Sequence, residues 1–396
     1  MRRLTQRYLL SLLGTLLVGL VVLISVNGLI DPFGVYCWIG QTRLDDYKYW
    51  NRSRLIKAEI ARNHPFDVLL VGGSRVHIGL NPRFRGFGGD RVFNLGLGGG
   101  TNYEFARLIE QSLSHPPRLM ILSQFWLTAN PQLLSKGNGD FVRSRINPNL
   151  DYIEYHARNL LSHQATDQSL ETVKYYLRGE QRNDSGQLCI REGWVPNYRE
   201  YFDRILKTDL GNWRRVAAQQ GQQEPGDNRP FMARLFAKCQ ANGIQLKIMI
   251  PPVHAVYLEG VWQTGQWAEF ENAKRCLVAL VTQANRHAAD RIPIEIWDFS
   301  SFSGYNAEPL GTREQTQPMQ WYWDPSHFRT ELGDRVLSRL LAFAPPREGF
   351  GVRLSAATLE PHLRQLRRDH RRFIELHPQQ VQLVEQCINE LESNRR

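Results

Sequence analysis

Five short apolar segments, spaced by amphipathic helical patterns, constrain this chain more than any other feature. Asp67–Val71, Arg91–Asn94, Arg118–Ser123, Gln245–Ile250 and Ile294–Phe299 read as buried strands, because each is an apolar run bounded by turn residues or a charge. Helical periodicity covers Arg54–Asn63, Tyr103–Leu113, Phe231–Ala241, Trp267–His287 and Glu331–Phe343. Strands that alternate with helices predict an α/β fold: a parallel, five-stranded sheet with helices on both faces.

The spacing breaks down once. Between the third and fourth strands lie about 100 residues, roughly 130–229, too many for a simple crossover. Helical pieces over Asp151–Leu161, Leu170–Arg178 and Tyr198–Gln219 flank a Gly/Asn/Asp-rich segment near Asn183–Pro196. This reads as a helical insertion capping the carboxyl edge of the sheet. Pro345-Pro346 marks the expected end of the main domain (32–346), and residues 347–396 read as a charged helical tail.

Ahead of the domain, Tyr8–Ile30 is an uncharged, mostly apolar run of about 23 residues, enough to cross a ~30 Å hydrocarbon core. A cleaved signal peptide has a shorter apolar core and a small-residue cleavage site. The run therefore reads as an uncleaved transmembrane anchor within residues 1–31. Arg2, Arg3 and Arg7 place its N-terminus in the cytoplasm and the rest of the chain on the exported side, periplasmic or extracellular.

Net charge is +10 with a sequence pI of about 9.5, which raises nucleic-acid binding as a class. The excess gathers instead at the two ends, in the N-terminal arginines and in Arg353, Arg364, Arg367, Arg368, Arg371 and Arg372. No basic block interleaved with aromatics accompanies them, so nucleic acid is not an expected partner. Five scattered cysteines with no Cys-x-x-Cys pair suggest neither a zinc site nor a redox motif, and leave one disulfide open.

The chemistry-bearing residues gather at strand ends. Gly72-Gly73-Ser74 follows the first strand and projects a serine at the carboxyl edge, where ligands bind in open parallel sheets. Asp324-Pro-Ser-His327 follows the last strand. A serine hydroxyl becomes nucleophilic when a histidine takes its proton and a carboxylate fixes that histidine's tautomer. Ser74, His327 and Asp324 are thus the expected catalytic residues, with the Ser74 N–H at a helix N-terminus suited to an oxyanion. The competing reading is a tight turn with a helix-capping serine, and an N-cap region before the last helix.

These blocks resemble the SGNH/GDSL hydrolase superfamily. Gly72-Gly73-Ser74 is similar to its nucleophile block, Asn94-Leu-Gly96-Leu-Gly98-Gly99-Gly100-Thr101 to its second block, and Asp324-Pro-Ser-His327 to its last. The resemblance covers roughly residues 66–126 and 244–344. It implies a three-layer α/β/α flavodoxin-like domain and an oxyanion donor at Gly99. The family's third block, Gly-x-Asn-Asp, is replaced here by Ser123-Gln124-Phe125-Trp126, which leaves Gln124 or Asn130 as the side-chain oxyanion donor. With its anchor, the chain further resembles envelope proteins that work beside membrane-bound O-acyltransferases, such as the D-alanylation protein of teichoic acid synthesis and the alginate O-acetyltransferases. That likeness implies a serine esterase or O-acyltransferase acting on an envelope glycan or glycolipid, with a membrane-bound O-acyltransferase as partner and no cofactor or metal. The alternative is a non-catalytic polysaccharide-binding or assembly protein on the same scaffold, since a fold does not guarantee chemistry.

Gly96-x-Gly98 follows the second strand without a paired acid, and no Walker A lysine occurs, so nucleotide binding is not expected. His254 reads as a pocket-wall or capping residue with substrate contact as the minor alternative, and His77, one turn beyond Ser74, as solvent-facing with contact to the site as its alternative. Trp321, Tyr322 and Trp323 form either a sugar-stacking wall or packing beneath the loop.

Overall fold

A computed structural model describes residues 2–36, 44, 47–48, 53–124, 140–181, 183–188, 190, 193–219, 229–312, 314, 319–344 and 349–393. The chain runs α1 (Arg2–Ile30), α2 (Ser53–Asn63), β1 (Val68–Gly72), α3 (Ser74–Gly79), β2 (Val92–Gly96), α4 (Asn102–Ser112) and β3 (Leu119–Ser123). The insertion follows, with α5 (Tyr152–Leu161), α6 (His163–Arg178), a hairpin of β4 (Asn183–Asp184) and β5 (Gln187–Leu188), and α7 (Tyr198–Gln219). Then come α8 (Arg229–Ala241), β6 (Gln245–Ile250), α9 (Ala255–Gln263), α10 (Trp267–His287), β7 (Glu295–Asp298), α11 (Thr330–Leu340), β8 (Val352–Leu354), α12 (Leu359–Leu376) and α13 (Pro378–Ser393).

The central sheet has the order β2-β1-β3-β6-β7-β8. Its first five strands are parallel, and β8 joins β7 antiparallel. Alternation along each strand divides the apolar side chains between two cores. Leu69 and Val71 of β1, with Met120 and Leu122 of β3, pack with α2, α4, α8 and α10. Val68, Leu70, Leu119 and Ile121 pack on the other face with Val76 of α3 and with Leu332, Val336 and Leu337 of α11. Both faces are covered, which is why the strands read as continuous apolar runs.

Two expectations need correction. The sheet has six strands rather than five, and the main domain does not end at Pro345-Pro346, because β8 returns to the sheet beyond them. Three residues between Gly351 and Ser355, one of them Arg353, carry no period strong enough to read as a strand. Gly351 lies at φ +77°, and a Cβ there would press on the Phe299 ring, so the entry to β8 needs glycine on both counts.

The insertion does three things rather than one. Its helices α5 and α6 pack against α1, while α7 lies against α9 and α13. Its hairpin extends the β2 side: Asn94 N–H donates to the Ser185 carbonyl (2.9 Å), and Gln187 Nε2 donates to the Ile78 carbonyl and Thr330 Oγ1. The hairpin thus bridges α3 and α11, the two helices that follow Ser74 and His327. Thr5–Ile30 of α1 is long and apolar enough to cross a membrane.

Of the cysteines, Cys239, Cys276 and Cys387 are free, and Cys37 and Cys189 lie outside the described residues.

Candidate active site

The β1 exit sets the position of Ser74. A Cβ on Gly72 would come within 2.6 Å of Val76 Cγ2 and 2.8 Å of Ser123 Cβ, so the strand end approaches α3 and β3 too closely for a side chain. Gly73 caps α3, and its carbonyl accepts from the Val76 and His77 N–H groups. Ser74 is therefore the first residue of α3. Asn94 fixes this helix to β2, donating from Nδ2 to the Val76 and Leu80 carbonyls (2.8 Å each) and accepting from Gly96 N–H.

Asp324 and His327 come from a closed loop. Tyr322 and Phe328 form an isolated antiparallel bridge, reinforced by Trp323 N–H to the His327 carbonyl (2.9 Å) and Arg329 N–H to the Trp321 carbonyl (2.8 Å). Asp324-Pro-Ser-His327 is the tip of that loop. Asp324 Oδ1 accepts the backbone N–H groups of Ser326 (2.8 Å) and His327 (2.9 Å), so the tip is folded around the carboxylate. Two neighbours hold it from outside: His254 N–H donates to the Pro325 carbonyl, and Arg75 Nε to the Ser326 carbonyl (2.8 Å).

These placements bring the three groups into line. His327 Nε2 lies 2.8 Å from Ser74 Oγ, and His327 Nδ1 lies 2.8 Å from Asp324 Oδ2. A carboxylate only accepts, so Nδ1 carries the ring hydrogen and Nε2 is left as the acceptor for the serine O–H. Burial alone would raise the Asp324 pKa, but the facing His327 and the hydrogen bonds it accepts bring it below the ordinary carboxylate value. The acid thus stays ionised while shielded from water. No known protein family, curated protein or solved structure matches this chain.

The glycine loop after β2 is braced by residues the sequence reading passed over. Gly99 is exposed at φ +58°, and buried Arg54 donates from Nη2 to the carbonyls of Gly98 and Gly99 (3.3 Å each) while also pairing with Glu104. Glu104 in turn closes a capping box with Thr101 at the start of α4. Lys57, buried in α2, donates to the Gly96 carbonyl (2.6 Å) and the Gly186 carbonyl (2.7 Å), and burial drives its pKa well below the ordinary value. Gln124 is buried just beyond β3, its N–H donating to the Met249 carbonyl (2.8 Å). Asn130 lies outside the described residues.

The aromatic and histidine expectations resolve differently. His254 is fully buried as the N-cap of α9: Nδ1 accepts from Val256 N–H, and Nε2 donates to the Glu308 carbonyl (2.8 Å). Burial lowers its pKa to about 4, so it is neutral and fully engaged, which removes it as a substrate contact. Trp323 is also buried, stacked by Tyr198 of α7 and covered by the Arg329 guanidinium, so it packs beneath α7 instead of presenting a wall. Trp321 remains partly exposed, edge-on to Tyr305. His77 faces inward rather than to solvent, with burial, then Lys57, holding its pKa well below the ordinary value.

Beside the triad, α7 supplies Asp209, which the pattern of a long amphipathic helix gave no reason to single out. Its Oδ2 is enclosed without a hydrogen-bond partner among the described residues. Burial and the charge of Asp324 raise its pKa to about 6 against the lowering effect of Arg75 and His327. Arg75 itself spans the site, since its guanidinium also lies over the Tyr257 ring.

Proposed function

We propose that the chain is a membrane-anchored serine esterase or O-acyltransferase of the SGNH type, acting on an ester of an envelope glycan or glycolipid. The observation that carries this reading is the continuous Ser74–His327–Asp324 hydrogen-bond chain at the carboxyl edge of a parallel sheet. The strand order β2-β1-β3-β6-β7 supports a flavodoxin-like three-layer domain, whose ligands bind at that edge. The anchor would be α1, with the cytoplasmic end marked by Arg2, Arg3 and Arg7 and the domain on the exported side.

In this mechanism Ser74 Oγ attacks the acyl carbonyl as its proton passes to His327 Nε2. The N–H groups of Ser74 and Gly99 receive the oxyanion, and Asp324 balances the imidazolium. Collapse breaks the ester C–O bond. The departing alcohol takes the proton from Nε2, which leaves acyl-Ser74. Water or a sugar hydroxyl then gives its proton to His327 Nε2 and attacks the acyl carbon. The acyl–Ser74 C–O bond breaks and Ser74 Oγ takes the proton back. The product is the acid or the new ester according to which acceptor the site admits.

A fluorophosphonate probe tests the reading directly. It is expected to label the wild-type protein at Ser74 and to fail with Ser74→Ala. A folded wild-type protein that resists labelling would instead favour a binding or assembly role on this scaffold.

A further inference from the structure

Helices α5 and α6 pack against each other and grip the end of α1. Asn27, fully buried three residues before α1 ends, donates from Nδ2 to the Leu160 carbonyl (2.8 Å) and to Thr166 Oγ1 (3.1 Å). Its Oδ1 accepts from Ser169 Oγ (2.9 Å). All three partners belong to the corner where α5 turns into α6. Helix α1 is exposed from Thr5 to Val22 and is partly covered only from Leu23 onward.

Length places this corner relative to a bilayer. Thr5–Ile30 comprises 26 residues. At 1.5 Å per residue that is about 39 Å, against a hydrocarbon core of about 30 Å. A core that begins at Thr5 is crossed about one turn before Asn27, which puts the α5–α6 corner in the headgroup layer.

The outward side of the corner exposes two leucines beside the polar His163, Gln164 and Asp167. Leu161 and Leu170, adjacent to the residues that bind Asn27, are 40% and 61% exposed. Each begins or ends a helical stripe: Ile153 stands eight residues before Leu161, and Leu177 seven after Leu170, at 86% and 77% exposed. The polar groups beside them pair within the same helices, Arg158 with Glu154, His163 with Asp167 and Lys174 with Glu171.

We propose that the α5–α6 corner is a second membrane contact, with Leu161 and Leu170 seated in the interfacial layer of the leaflet from which α1 emerges. The inference rests on α1 being the anchor. Its occupant is the lipid surface, because Asn27 fixes the corner to the end of α1 at headgroup depth, its exposed leucines suit that layer, and its charges pair within their own helices and offer little net field to a charged partner. The domain is then braced against the bilayer in one orientation instead of swinging on a tether.

The test uses the full chain in phosphatidylcholine vesicles, carrying a bimane label on Leu161→Cys, Leu170→Cys or, as a reference within α1, Leu16→Cys. Cys37, Cys189 and Cys276 are replaced by serine. Buried Cys239 and Cys387, whose thiols burial raises to about 12 and about 11, stay in place. Labels at 161 and 170 are expected to lose fluorescence to lipids bearing a shallow nitroxide and to resist aqueous iodide. If the label at 16 is quenched by nitroxide lipid while those at 161 and 170 yield to iodide, the corner lies in water or awaits a protein, and the inference falls while the anchor stands. If the label at 16 also escapes lipids bearing a nitroxide deep in the acyl chain, the anchor falls and this inference with it.

Discussion

His327 can act as a base only in the tautomer that Asp324 imposes, so the carboxylate matters more than its distance from the serine suggests. Asp324→Asn should lower the rate of ester hydrolysis by about 10³–10⁴ with little change in melting temperature, because the amide supports the wrong tautomer. Ser74→Ala and His327→Ala should each remove most activity, and the double variant should lose no more than either alone, as groups acting in one step do. Two further residues set an acid–base balance in stability. His254 has its pKa lowered to about 4, so between that value and its unfolded pKa near 6.5 the unfolded chain binds the extra proton. Its contribution is present above the unfolded pKa and is lost as pH falls through this window, about 3 kcal/mol in all. Asp209 has the opposite sign. With its pKa raised to about 6, its contribution is full below the unfolded value near 4 and is lost as pH rises to 6, again about 3 kcal/mol. The two slopes oppose each other in the wild type. Urea melts from pH 4 to 7 should show stability falling with pH in His254→Asn, which keeps a capping side chain. Asp209→Asn should rise steeply over the same range and be the more stable protein at pH 7.

Between elements, the triad depends on a contact without side chains. Helices α3 and α11 carry the residues after Ser74 and His327, and they meet at Gly79 and Gly333. A Cβ on Gly333 would lie 1.8 Å from the Gly79 carbonyl oxygen, and one on Gly79 would overlap the Phe328 ring. Gly333→Ala should therefore push α11 from α3, cost about 1–3 kcal/mol despite alanine's better helix propensity, and reduce activity with Ser74 and His327 intact. Comparing its melting temperature and esterase rate with those of a control alanine substitution at exposed Ser303 checks this. The five parallel strands were legible because strands buried on both faces read as unbroken apolar runs, and α7, α10 and α11 because their apolar residues recur at helical spacing. Three-residue β8 and two-residue β4 and β5 were not, since they owe their pairing to neighbours rather than to any local period. Ser74, Asp324 and His327 could be read from turn chemistry at strand ends. Arg54, Lys57 and Arg75 could not, because a lone basic residue in a helix shows no sign of the carbonyl it will meet.

At the scale of the whole molecule, the charged tail is part of the body. Helix α12 lies on α10, with Arg367 paired to Glu271 and Arg275 to Glu360, while α13 packs on α7 and α9. Asp298, at the end of β7, gathers Lys274, Ser300 and His362 of α12. Burial opposes its ionisation, but Lys274 and His362 hold its pKa well below the ordinary carboxylate value. Truncation after Leu354 should leave a protein that expresses poorly or melts well below the intact chain, because it uncovers apolar surface on α7, α9 and α10 and strips Asp298 of His362. The same long reach governs when the site comes into being. Ser74 and its base are 253 residues apart, and the strand that completes the sheet lies beyond both. As a chain emerges from its N-terminus, Ser74 meets His327 only when the last quarter has folded, so under the proposed mechanism it is an ordinary alcohol until then. Under the proposed mechanism, unfinished or broken copies are therefore expected to leave the fluorophosphonate probe unreacted.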